Sequence, residues 1–245
     1  MRPVRRGPSP QSGPFDPYSG ALGALVARTG RYCSYCERQI ATMLAVEHIQ
    51  AKALPHYAHL ETRWENFLLA CVNCNSTKGK QDVRPERFLL PDRDNTSAAF
   101  TYTEDGMVEV SAAAEAAGKG GIALDTLKLT GLDRSVLAAT DPNALAVALD
   151  RVGQRREAWL MARHAQALLA SAPANDQLRG FVVRTAQTQG YSSIWMTVFV
   201  ADADMKLRLI EAFQGTAASG CFDPATGAAI SPAPNPDGLP GGGKL

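Results

Sequence analysis

Cys33-Ser34-Tyr35-Cys36 and Cys71-Val72-Asn73-Cys74 are two CxxC pairs separated by 34 residues. Two residues between cysteines let a tight turn aim both sulfurs at one ion. Two such turns complete a closed, tetrahedral four-thiolate site, the donor set of structural Zn²⁺. Unrelated buried thiols or disulfides would have to reproduce the same spacing twice by coincidence. The segment between the pairs carries too little apolar material to fold without the metal. Cys221 is left over and reads as an ordinary buried or tail-proximal thiol.

Working outward, the apolar stretches 42–49 and 67–72 predict a hairpin between the two knuckles. The Ala/Leu/Val run over 21–28 predicts a short helix ending at Gly30. Past the second pair, 100–102 and 107–110 flank Glu104-Asp105-Gly106, a hairpin signal. Asp141-Pro142 supplies an N-cap and a first-turn proline for a long helix to about residue 171. Its apolar face is read from Leu145, Leu149, Val152, Trp159, Leu160 and Leu168, with a weak point at Gly153. Further helices are predicted over 176–187 and 203–213, with the β-branched and aromatic stretch 193–200 between them.

Pro and Gly crowd both ends, so 1–20 and 216–245 are expected to be flexible tails. Between them the expected units are a zinc-braced core over 21–90 and a hairpin plus helical region over 91–215. The fold class is α+β, with a mainly helical C-terminal region and no internal repeat at solenoid periods.

With 45% hydrophobic and 20% charged residues, the 245-residue chain has the means to bury a core, which excludes disorder throughout. The longest apolar stretches, 67–72 and 195–201, fall far short of the roughly 18 to 20 residues that span a bilayer. Arg2, Arg5 and Arg6 precede Pro, Gly and Ser with no apolar segment behind them, so no secretory signal is read and a cytoplasmic location is expected. The net charge is only +1, yet 28–87 carries nine Lys/Arg against six Asp/Glu. That local surplus is mildly basic.

Inside the cysteine frame lie Val46-Glu47-His48-Ile49, then Trp64-Glu65-Asn66-Phe67-Leu68-Leu69, then Asn75 directly after Cys74, and Lys78-Gly79. With the two CxxC pairs, this order resembles the HNH endonucleases over residues 32–80, about a fifth of the chain. The resemblance implies a ββα-metal, treble-clef-like core braced by the zinc. It also implies that His48 is the general base, that Asn66 orients its ring, and that Glu47 and Asn75 ligate a catalytic Mg²⁺ or Mn²⁺. Each role suits the residue. A neutral imidazole with a pKa of roughly 6.5 accepts a proton from water at neutral pH, and oxygen donors suit a hard cation better than a second zinc. The family often has Asp at the Glu47 position and His at the Asn75 position.

Lys52, Lys78 and Lys80 are candidate phosphate contacts on a DNA substrate. His56 and His59 read as solvated loop histidines, and Trp64 and Tyr35 as packing for the zinc-bound core. The stretches 32–37, 46–52 and 64–69 look like the retron-associated and Septu-type HNH nucleases of bacterial anti-phage systems. That likeness implies an ATPase partner protein docked on the helical region, whose other role is simply to cover the core. A non-catalytic zinc module binding nucleic acid or protein, and an HNH-type RNase or toxin, are the alternatives; oligomeric state is not legible.

Overall fold

The computed structural model describes residues 1–135 and 142–245. Helix α1 (Leu22–Thr29) ends at Gly30, as its sequence predicts. Strands β1 (Ala45–His48) and β2 (Phe67–Ala70) form an antiparallel hairpin that pairs Ala45 with Ala70 and His48 with Phe67. Helix α2 (Val72–Lys78) follows β2 at once, closing a ββα unit over the second cysteine pair. The chain continues through α3 (Thr96–Ala99), the hairpin of β3 (Phe100–Tyr102) and β4 (Val108–Val110), α4 (Ala112–Ala116) and α5 (Gly120–Thr130). The helical half comprises α6 (Pro142–Ser171), α7 (Asp176–Gln189), α8 (Ser192–Val198) and α9 (Ala203–Ala212). The α+β class and the mainly helical C-terminal region are as expected.

Alternation along β2 divides its side chains between two cores. Leu68 and Ala70 join the zinc knuckles, Val83, Leu89, Leu127 and Ile194 in one cluster. Phe67 and Leu69 join Val46, Leu25, Phe15 and Trp64 in another on the opposite face. Trp64 therefore packs the back of the hairpin rather than the zinc side, stacked on Phe15 at 5.6 Å, whereas Tyr35 is buried against the knuckles as expected. The third cluster is helical, built from Ala162, Ala165, Leu169, Trp195, Phe199, Leu209 and neighbours.

Two expectations are corrected, and one stretch without an assigned element is found to be helical. Helix α6 forms and runs unbroken through Gly153, but Leu145, Leu160 and Leu168 are exposed. Its buried stripe is Val152, Arg155, Ala158, Ala162, Ala165 and Leu169, because small residues at three- and four-residue spacing let α8 approach closely. The Asp141 cap and the Leu149 side chain lie outside the described residues. The stretch at 193–200 is largely helical. Trp195 and Phe199, four residues apart, stack on one face at 6.4 Å, so tertiary packing overrides β propensity.

The second correction is that both ends are packed. Met1 and Val4 are buried, Arg6 reaches the Phe67 and Glu65 carbonyls and Asp92, and Arg2 reaches the Thr29 and Gln214 carbonyls. At the other end Leu245 is buried, its carbonyl accepts from Asn95, and Lys244 pairs with Asp94 at 3.0 Å. Charged side chains and main-chain bonds do what apolar residues there could not.

Candidate active site and metal centre

The first knuckle turns at Glu37, which has φ +66°, while Cys33 accepts from the Cys36 amide and pairs its own amide with the Arg38 carbonyl. In the second, Cys71 is both a cysteine of the pair and the N-cap of α2, accepting from the Cys74 amide at 3.4 Å. The four sulfurs lie within 4.8 Å of one another, all buried. In so tight a set one thiolate, Cys71, is favoured because the other thiols donate to it, while burial pushes Cys33 up and its neighbours push Cys74 up. Holding all four as thiolates takes a cation, and four sulfur donors fit zinc. Cys33, Cys36, Cys71 and Cys74 are thus brought together as the spacing predicts. Cys221 is apart and buried, its thiol pushed up to about 11 by burial.

The first knuckle is also gripped from the helical half. Gly190, at φ +81°, lies so close that a Cβ there would meet the Glu37 carbonyl at 2.5 Å. Glu37 itself, buried, accepts from the Ser193 amide and Tyr102 hydroxyl and faces the Met1 ammonium at 2.9 Å.

The hairpin sets the chemistry. Glu47 lies opposite Leu68 and so points to the α2 side, while His48 ends the strand on the other face, against Phe67. A cleft of about 450 Å³ opens across this strand end, lined among others by Glu47, His48, Asn75, Lys52, Lys78 and Tyr18. Nε2 of His48 lies 2.8 Å from the Glu61 carbonyl. A carbonyl only accepts, so Nε2 carries the proton and Nδ1 keeps its lone pair. Burial, the largest influence, lowers the His48 pKa, which keeps the ring neutral; the carbonyl acts the other way.

Asn66 does not supply the ring's partner. Its side chain accepts from the Gln50 amide at 2.8 Å and donates to the Gln50 carbonyl at 2.9 Å. It clamps the loop that leaves β1 and so supports His48 from behind, while the ring itself is fixed by Glu61.

Glu47 is buried and its Oε1 is 3.0 Å from Lys78 Nζ, also buried. The pair is ionic, and the buried Tyr35 hydroxyl also faces this carboxylate. Burial outweighs the attraction of Lys78 and pushes the carboxyl up to about 7. Glu47 and Asn75 line the same cleft, and a carboxylate with an amide oxygen is a donor set that fits a hard cation.

The lysines separate. Lys80 is exposed at the cleft rim. Lys52 is paired with Glu61 and sits over the Tyr18 ring at 4.2 Å. Lys78 is 2% exposed, so its place as a surface phosphate contact is corrected: its charge is engaged inside. His56 and His59 are exposed on a turn over Pro55–Leu60, and His56 approaches Asp82 at 3.5 Å. Sequence reading missed Tyr18, which meets the His48 ring edge-on at 4.8 Å, and Glu61, which acts through its carbonyl. Tyr18 lies in a stretch whose composition reads as a tail, and no side-chain pattern marks a carbonyl.

Among the described residues no helix is long and apolar enough to cross a membrane. No curated protein matches the chain. Residues 33–81, from the first knuckle cysteine to just past α2, match the family model for the HNH endonuclease, and this supports a nuclease-type function for the zinc-braced ββα unit.

Proposed function

We propose that the ββα unit hydrolyses DNA phosphodiester bonds. The observation that carries the reading is His48: buried, neutral, its Nε2–H committed to the Glu61 carbonyl, and its Nδ1 left as an acceptor on a residue lining the cleft. His48 Nδ1 would take the proton from a water attacking phosphorus as the bond to the 3′ oxygen breaks, and that oxygen would take a proton from solvent, leaving a 5′-phosphate and a 3′-hydroxyl. Glu47 and Asn75 would hold Mg²⁺ or Mn²⁺, which supplies stabilisation of the charge that grows on the phosphate and the leaving oxygen. Lys80 on the rim attracts the phosphate backbone, and the four cysteines keep hairpin and helix in register. The motif likeness over 32–37, 46–52 and 64–69 supports the finer reading of a cytoplasmic anti-phage effector working beside an ATPase. His48→Ala should retain fold and zinc yet lose about a hundredfold to ten-thousandfold in plasmid nicking. Near-wild-type nicking by that variant removes His48 from the role.

A further inference from the structure

Lys78 is the last residue of α2, and Gly79 follows it at φ +51°, turning the chain away so that the lysine side chain stays inward. Only 2% of each side chain is exposed in the Lys78–Glu47 pair, and both residues line the cleft. The ammonium lies 3.0 Å from the same carboxylate that, on the nuclease reading above, ligates the divalent cation. Two positive charges cannot share one carboxylate in a buried site without strong mutual repulsion. The contact with Glu47 Oε1 is a buried ion pair at 3.0 Å, so charge is what holds the lysine there. A dication offers that oxygen twice the charge and a direct ligand bond.

We propose that Lys78 is a resident counter-cation of the active site, which occupies Glu47 until a divalent ion displaces its ammonium into the cleft, where it meets the substrate phosphate. The inference rests on the nuclease reading and deepens it: Lys78 sets how readily the site takes up metal and then contacts the substrate phosphate. Its removal should therefore split binding from turnover, tightening the metal while slowing the reaction. A merely structural lysine would weaken both.

The test uses the full zinc-loaded chain and Mn²⁺ alone, with free Mn²⁺ read by electron paramagnetic resonance. Lys78→Met should bind Mn²⁺ about tenfold more tightly than wild type, while Lys78→Arg, which keeps the charge, stays near the wild-type value. At saturating Mg²⁺, Lys78→Met should nick plasmid about tenfold more slowly, because the released amine is missing. Equal or weaker Mn²⁺ binding by a zinc-retaining Lys78→Met overturns the proposal. A second measurement needs no variant: in wild type, Mg²⁺ should raise acetylation of Lys78 severalfold relative to exposed Lys80, read by mass spectrometry, and an unchanged ratio overturns the proposal even if Lys78→Met does not fold. Wild type that shows neither Glu47-dependent Mn²⁺ binding nor nicking sinks the nuclease reading and this inference together. Wild type that shows both, beside a Lys78→Met variant that binds no more tightly, sinks this inference alone.

Discussion

His48 and Glu47 are neighbours on one strand, and burial moves their proton affinities in opposite directions. It lowers the imidazole and raises the carboxyl to about 7. In the proposed roles of general base and oxygen ligand, protonation inactivates both, so each should give an acid limb to the rate. At limiting Mg²⁺ that limb should lie near 7, where the cation competes with the Glu47 proton. Saturating Mg²⁺ should move it down until the His48 limb remains, below roughly 6.5. Rate against pH at two Mg²⁺ concentrations checks this, and a limb indifferent to Mg²⁺ argues against Glu47 as ligand. Asn75→Ala should raise the Mg²⁺ needed for half-maximal nicking without changing zinc content. Asn66 was legible as a site position from its motif, yet its partner, the Gln50 main chain, was not: a motif records which residue is present and not which carbonyl lies within reach.

At the scale of elements, the hairpin, α2 and the knuckles meet at the four cysteines, and stripping zinc should abolish the cooperative thermal transition of this region. Persistence of the wild-type transition in metal-free protein would refute that dependence. Helix α6 offers a contrast set by packing. Ala162 is fully buried in the helical core, so Ala162→Leu should overpack it and cost about 1–3 kcal/mol in urea denaturation. Leu160 is 62% exposed, and Leu160→Lys should stay within about 0.5 kcal/mol of wild type. The helix was legible from Asp141-Pro142 and the near-helical recurrence of its apolar residues. Its inward face was legible only at Val152 and Trp159, because large apolar residues drew the reading while alanines and Arg155 form most of the contact.

Across the whole molecule, both ends of the chain are structural parts of the core. Arg6 ties the N-terminal segment to β2 through the Phe67 carbonyl and to the loop after α2 through Asp92. The C-terminal segment closes over Asp94 and Asn95 through Lys244 and the Leu245 carbonyl. A chain stopped at residue 231 leaves Asp94 buried without its ammonium partner, and should lose about 3 kcal/mol or more of stability. Equal urea midpoints for this and the 245-residue chain would show the segment to be dispensable.

The two CxxC pairs and the ordered Glu47, His48, Asn66 and Asn75 determined the zinc centre, the ββα unit and the cleft residues, because metal geometry and short-range chain geometry act over a few residues and leave their spacing in the sequence. Four features came only from the tertiary structure: Glu61 as the partner of the His48 ring, Tyr18 against its edge, Lys78 inside and not on the surface, and two packed ends. Each is a contact between elements distant in sequence or an act of the main chain. Such contacts are selected by which surfaces meet when the cores close, and neither composition nor periodicity carries that information.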